Sequence, residues 1–474
     1  MTDRIPPFLY DLVDRFMEHG YSLYLVGGCV RDLLLNRGVK DWDFTTNATP
    51  EEILTLFPEG FYDNAFGTVG LPSEVLKKSG IPVDETYAES VLEVTTFRTE
   101  HGYSDRRHPK VQWGTSIEED LKRRDFTINA IALQIRTTAE KTDLPHDDTF
   151  VIIDPFQGQE DIQKKVIRAV GDPDKRFKED ALRLMRAIRL ATELSFVIEE
   201  KTFTALTRDA ALLDEIAHER VRDELMRILA SEYPYEGVML LKNTGLLAHI
   251  LPELLEGVDV SQERPGRHHK TDVFTHNTMA LKLCPSTDPV VRFATLIHDI
   301  AKPRVASTDN EGYVIFHNHE IDGAKLAYLI CDRLRFSKKD RRKVVTLVRW
   351  HMFTVDENTT DASIRRFIRH VGVENIQDMI DLRIGDRLGS GTQTAESWRL
   401  KLFKKRIEEQ LAPAPFSIND LALDGNDVMR ILDIKPGRQI GDILQKLFEE
   451  VDEDLSKNTK EYLTERILVL AKQK

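Results

Sequence analysis

Hydrophobic and polar positions separate an alternating first stretch of the chain from a helical remainder. Residues 8–19 place apolar side chains at helical spacing and predict a short amphipathic helix. Tyr24-Leu25-Val26 is an apolar run that stops at Gly27-Gly28, the pattern of a buried strand entering a tight turn, and Val30, Leu33, Leu34 and Leu35 then read as a helix. Thr46-Asn47-Ala48-Thr49-Pro50-Glu51-Glu52 supplies an N-cap, a proline and an acidic first turn, so another helix starts there. Phe66–Gly70 and Val91–Phe97 read as strands, separated by a polar stretch, 72–90, longer than a hairpin needs. Residues 98–113 are charged and aperiodic and predict a mobile loop, whereas Ile117–Ala132 and Glu179–Arg189 each predict one continuous helix. A turn falls at 154–161, helices fill 200–255, and an apolar helix covers Val290–Ile297. The tail, 416–474, reads as short helices. The expected architecture is therefore an α/β head with a small mixed or antiparallel sheet, followed by helical domains. Its boundaries are expected at 1–160 for the head, 161–260 for a helical neck, 261–400 for a further domain and 401–474 for the tail.

A length of 474 residues fits several domains, and no apolar run approaches membrane-spanning length. The N-terminus, MTDRIPPFLYDL, lacks the basic-then-apolar layout of a signal segment. Cys29, Cys284 and Cys331 are odd in number and far apart, which argues against a disulfide framework; a reducing cytoplasm is expected. The net charge of −13 argues against a protein that coats nucleic acid non-specifically. It leaves room for local basic surfaces, and Lys164–Arg189 and Arg333–Arg349 both carry a Lys/Arg excess; the first reads as functional and the second as a solvated helix face.

The chemistry gathers in three places along the first half. Two glycines after the first strand, Gly27 and Gly28, let backbone N–H groups approach an anion, the following helix N-terminus favours negative charge, and Arg31 adds a cation; Gly28 and Arg31 are candidate triphosphate ligands. Asp41-Trp42-Asp43 alternates so as to put both carboxylates on one face of a strand, where a hard cation such as Mg²⁺ relieves their repulsion. Glu93 is a candidate third carboxylate, and an ordinary strand residue equally. Arg123-Arg124-Asp125-Phe126-Thr127-Ile128-Asn129 spaces Asp125 and Asn129 one helical turn apart, with Asp125 suited to a ribose hydroxyl and Arg124 to phosphate. In Glu179–Arg189, helical spacing lines up Asp180, Arg183, Arg186 and Arg189 opposite Ala181, Leu184, Met185 and Ile188. Asp180 only accepts hydrogen bonds and Arg183 only donates, which suits the edge shared by cytosine and adenine and opposes guanine and uracil.

In this order, these motifs resemble those of the class II tRNA nucleotidyltransferases, the CCA-adding enzymes and bacterial poly(A) polymerases of the polymerase-β superfamily. The resemblance implies template-independent addition of CCA to tRNA from CTP and ATP. It implies two Mg²⁺ ions on Asp41 and Asp43, one acidifying the 3′-hydroxyl and one neutralising pyrophosphate. It implies base selection by Asp180 and Arg183, with Arg186 and Arg189 near the phosphates. Residues 219–225 resemble the family's neck, the segments around 424–441 its C-terminal region, and the 98–113 loop its flexible loop, which argues against a CC-only enzyme. A-adding enzymes share the same motifs. A poly(A) polymerase usually carries a basic C-terminal extension, and this chain ends in a nearly balanced tail.

Half of the 14 histidines fall between 268 and 351: His268, His269, His276, His298, His317, His319 and His351. With Asp299 and Asp386 they suit a divalent metal. The order H…HD…D resembles the HD phosphohydrolases, and that resemblance implies a metal on His276, His298, Asp299 and Asp386, with His319 and His351 supporting a second. Related bacterial enzymes link this domain to phosphatase or 2′,3′-cyclic phosphodiesterase activity. A reading from another class makes this the working centre and the head an inactive RNA-binding scaffold.

Overall fold

The computed structural model describes residues 4–64, 67–101, 110–114, 116–136, 150–263, 271–411 and 417–472. They form two compact units, Met1–Pro252 and Glu253–Lys474.

In the first unit, strands β1 (Leu23–Val26), β2 (Asp43–Thr46), β3 (Phe61–Asn64), β4 (Thr68–Pro72), β5 (Val91–Thr96), β6 (Arg98–His101), β7 (Lys110–Trp113), β8 (Ala132–Ile135) and β9 (Phe150–Ile153) follow in chain order. Seven of them make one mixed sheet in the order β3-β4-β5-β2-β1-β8-β9. The β2–β5 pair is parallel and its neighbours are antiparallel. Alternation sets the faces: Phe44 and Val94 are buried, while Asp43 and Glu93, directly opposite each other across the parallel pair, share the other face. The Phe8–Glu18 helix buries Phe8, Leu9, Leu12, Val13 and Phe16, a single helical stripe. Thr49 and Glu52 close a capping box on the Pro50–Leu56 helix, as its start signal predicts.

Several expectations change. Strand β3 escaped the pattern because Phe61 and Tyr62 stay partly exposed at the sheet edge, with the Phe61 ring covering the face of Gly70. The 72–90 stretch holds a helix, Ser73–Lys78, and a 3-10 turn, Glu85–Tyr87, whose Tyr87 ring packs 5.2 Å from Phe8. The ends of the supposed 98–113 loop pair as an antiparallel ribbon, β6 with β7; its centre lies outside the described residues.

The 117–132 segment is not one helix. Ile117–Lys122 is helical, Thr127–Asn129 is a separate 3-10 turn, and between them the backbone pairs elsewhere: Val170 N donates to Asp125 O and Thr127 N to Arg168 O. These long-range bonds give the backbone partners that take the place of helical ones. The third motif also breaks. One helix ends at Glu179, Asp180 adopts extended φ/ψ and accepts from Leu182 N (3.0 Å), and a second helix runs Leu182–Leu194. Further helices, Glu200–Arg208, His218–Ala230 and Pro234–Asn243, complete the unit.

The second unit is helical. Val273–Leu283 and Ile376–Gly389 approach so closely that a Cβ on Gly385 would lie 2.6 Å from Ala280 O, and one on Gly389 2.7 Å from Ala280 N. Glycine at these two positions, four apart, lets the two helix backbones touch. The chain beyond residue 417 builds its own small core from Leu421, Val428, Ile443, Leu447, Val451, Leu463 and Ile467. No helix among the described residues is long and apolar enough to cross a membrane.

Candidate active site and candidate metal centre

The turn after β1 is built on Gly27, whose φ of 79° and ψ of −134° lie in a region that side chains disfavour. A Cβ there would meet Arg124 Nη1 at 2.9 Å and Asp43 Oδ2 at 3.7 Å, so the turn, the arginine and the carboxylate converge on one spot. Gly28, the candidate from sequence, opens the helix, and a Cβ there would meet the Arg31 guanidinium at 3.6 Å. Sequence reasoning named both glycines of this turn and assigned the triphosphate role to Gly28, whereas the close approach is at Gly27.

Asp43 opens β2, and Asp41 lies just before the strand rather than within it, exposed. Burial raises the pKa of Asp43; Arg124 pulls it down and Asp41 pushes it up. A carboxylate strained by burial and by a second carboxylate, with Glu93 beside it in the sheet, is a donor set that fits a hard divalent cation.

Arg124 is steered by Asp120, a fully buried carboxylate that sequence analysis missed although its spacing to Arg123 and Arg124 was visible. Arg123 donates to Asp120 at 2.7 and 3.0 Å and Arg124 at 3.4 Å. Burial would raise the Asp120 pKa, but the two arginines hold it below the ordinary value.

The remaining motif residues form a continuous chain. Arg31 donates to Asp32 (2.9 and 3.0 Å) and through Nη1 to Asn129 Oδ1 (2.8 Å). Asn129 Nδ2 donates to Asp125 Oδ1 (3.2 Å), and Arg186 donates to Asp125 Oδ2 (2.8 Å). Asp125 and Asn129 therefore meet, as their spacing suggested, although by a turn rather than a helix. Burial opposes ionisation of Asp125, yet Arg186 dominates and keeps its pKa well below the ordinary range.

The arginine stripe is not a solvent face. Arg183 is buried and donates to Glu179 (2.7 Å) and to the carbonyls of Arg176 and Arg123 (both 3.0 Å). Arg189 pairs with Glu224 at 2.7 Å, and Asp180 pairs with Arg220 at 3.3 Å. Asp125, Glu224 and Arg220, which pair with Arg186, Arg189 and Asp180, come from other elements, which a pattern on one helix cannot reveal. The hydrophobic stripe is buried as expected.

In the second unit, His276 on the Val273–Leu283 helix, His298-Asp299 after the Pro289–Leu296 helix, His319, His351 and Asp386 converge. His276 Nε2 lies 3.1 Å from His298 Nε2, 3.4 Å from Asp299 Oδ2 and 3.2 Å from Asp386 Oδ1. Asp299 Oδ1 faces the other pair, 3.2 Å from His319 Nε2 and 3.4 Å from His351 Nε2, which are 3.3 Å apart. The Nδ1 atoms of His298, His319 and His351 are 2.7–2.8 Å from the carbonyls of Thr295, Phe316 and Val348. Those bonds place the proton on Nδ1 and turn the Nε2 lone pairs inward. Nε2 atoms that meet at 3.1–3.3 Å beside carboxylates suit a shared cation, so two groups sharing Asp299 fit two divalent metals. Lys302 pairs with Asp299, and a cavity of about 570 Å³ opens on Asp299, His319, His351 and Asp386, lined also by Lys302, Arg383 and Phe353. His317 lines the cavity rather than the cluster; His268 and His269 lie outside the described residues.

The first unit thus has the arrangement of a nucleotidyltransferase head. The Poly A polymerase head domain family matches residues 23–168. A family described as an RNA- and SrmB-binding site of polymerase A matches 195–257, and tRNA nucleotidyltransferase domain 2 matches 314–467. The chain is 34% identical to the A-adding tRNA nucleotidyltransferase of Deinococcus radiodurans over 443 residues, 90% of each chain. It belongs to the tRNA nucleotidyltransferase family. It is 42% identical to the CCA-adding enzyme of Geobacillus kaustophilus over 248 residues, and so spans about half (55%) of that relative's length. The crystal structure of the Bacillus stearothermophilus CCA-adding enzyme in complex with CTP superposes with a TM-score of 0.69 at 25% identity, covering 99% of this chain and 98% of that one. The Thermotoga maritima CCA-adding enzyme complexed with tRNA shares the fold, with a TM-score of 0.56 at 20% identity over 99% and 97% of the two chains.

Proposed function

We propose that this chain adds CCA to the 3′ end of tRNA, using CTP and ATP, without a nucleic-acid template and with release of pyrophosphate. The observation that carries this reading is the meeting of Gly27, Asp43 and Arg124 at the end of β1. Asp41 and Asp43 would hold Mg²⁺, with Glu93 beside them; the metal would supply charge neutralisation at the triphosphate and a more acidic 3′-hydroxyl. Arg124, steered by Asp120, is placed to take phosphate oxygens, and the glycine turn leaves backbone N–H groups open to the same anion. The Arg31–Asn129–Asp125–Arg186 chain locks the turn that carries Asp125 beside the ribose site. Base selection is assigned to Asp180 and Arg183, whose guanidinium is held by Glu179 and the Arg176 and Arg123 carbonyls, and Arg189 is held against Glu224. Preorganised donors of this kind lower the barrier because they need no rearrangement at the moment of reaction.

A second reading, addition of A alone, is favoured by one observation: a relative matched along 90% of both chains is an A-adding enzyme. For the second unit, we propose a two-metal phosphohydrolase-like centre on His276, His298, Asp299 and Asp386, with His319 and His351 completing the second position. Separate centres make a double dissociation the test. Asp43→Ala is expected to abolish nucleotide incorporation and leave metal binding by the second unit intact, and Asp299→Ala the reverse. Loss of both properties in either variant would contradict this assignment.

A further inference from the structure

The Lys338–Trp350 and Asp361–Val371 helices of the second unit meet at an aromatic stack that takes no part in the metal cluster. Trp350 lies edge-on to buried Phe367 (6.2 Å, 86°) and stacks on His370 (4.7 Å, 17°). The Arg349 guanidinium carbon lies 4.9 Å from the Trp350 ring centre. Arg366 stands one turn before His370, and Arg342 two turns before Arg349 on the same side of its helix.

These cations are poorly neutralised. Arg342 and Arg366 form no ion pair among the described residues, and the carboxylate nearest Arg349 is Glu320 at 3.9 Å. Arg369 is committed to Asp452. Partial burial, then the charges of Arg369, Arg366 and Arg349, hold the His370 pKa below its ordinary value, as expected where the local field is positive. An uncompensated positive face on a chain of net charge −13 matches a polyanion. Its rigid flat rings add little ordering cost on contact, and guanidinium forks suit phosphate oxygens.

We propose that the face formed by Arg342, Arg349, Trp350, Arg366 and His370 docks the phosphate backbone of tRNA. This rests on tRNA as the substrate and adds a contact surface built from residues other than those assigned to the two reaction centres. Arginine forks and a ring stack fit ribose-phosphate with exposed bases, which an acidic protein surface lacks.

The test is binding of a tRNA transcript lacking CCA to the full-length protein between 50 and 300 mM salt. Wild type is compared with Arg366→Gln, with Arg349→Gln plus Arg366→Gln, and with a control, Lys78→Gln, an exposed lysine paired with Glu59. The double variant is expected to lose at least about tenfold in affinity at 100 mM salt. Its log–log salt slope should be shallower by roughly 1.4–1.8, and the single variant's by about half that. KM for ATP should not move. Slopes and affinities equal to wild type would overturn the docking surface while leaving the transferase reading in place. A wild-type protein that fails to bind the transcript would instead remove tRNA as substrate, and this surface with it.

Discussion

Exchange of Gly27 for alanine tests the head site on backbone and side chain at once. At φ 79° an L-residue costs about 1–2 kcal/mol, and the added Cβ would stand 2.9 Å from Arg124 Nη1. Arg124 must then retreat from the turn and from Asp43. For a unit of this size the strain lowers the melting temperature by roughly 2–8 °C. Misplacement of a phosphate-binding group by about 1 Å costs on the order of 100-fold in rate. The matched control is Gly28→Ala, whose Cβ meets Arg31 only at 3.6 Å, an ordinary contact. Its stability should stay within about 0.5 kcal/mol of wild type. Thermal melts, with steady-state incorporation of labelled ATP into a tRNA transcript ending in CC, read both effects. A Gly27→Ala protein with wild-type melting and kcat/KM, or one indistinguishable from Gly28→Ala, would refute the convergence argued for this turn.

Three other outcomes follow from the same geometry. Gly385→Ala should push the Val273–Leu283 helix off the Ile376–Gly389 helix and part His276 from Asp386; calorimetric titration with Mn²⁺ should then show weaker binding than in wild type, and unchanged affinity would contradict the close-packing account. Asp125→Asn should destabilise the first unit by on the order of 2–4 kcal/mol, less than for a fully buried pair because Arg186 is one-third exposed, as read by urea unfolding; a loss under about 0.5 kcal/mol would show that the pair is idle. The folded-state pKa values of Asp120 and Asp125 are depressed, so their stabilisation is present above the unfolded value near ~3.9 and is lost as pH falls towards the folded values. Melting of the first unit should hold between pH 7 and about 5 and decline below about 4, and a melting temperature unchanged to pH 3 would count against those pairs.

The elements that fill the core were readable because their signals are local. The apolar run before Gly27, the capped start at Pro50 and the alternation of 91–96 each sit within a few residues. The convergence of the histidines was readable for another reason: His298-Asp299 is adjacent in sequence, and histidine is a scarce residue type. What failed was continuity. Helical periodicity runs unbroken through Arg123–Phe126 and through Asp180, but the chain breaks there because backbone groups find partners at 168–170 or under a side-chain cap. The balance of charge was equally hidden. Arg186 and Arg189 look like free cations in sequence, and only the fold brings Asp125, 61 positions away, and Glu224 against them. Strand β3 was missed because an edge strand with two half-exposed aromatic rings has no alternation to read.

Base selection is the central claim, and nucleotide incorporation tests it most directly. Three tRNA transcripts, ending before CCA, after the first C and after CC, are incubated with Mg²⁺ and with CTP, ATP or both. The account predicts that the shortest transcript gains C, C and A in order when both nucleotides are present, and that GTP and UTP are refused. Extension of the CC-ended transcript alone, by ATP alone, would contradict CCA addition and make this an A-adding enzyme.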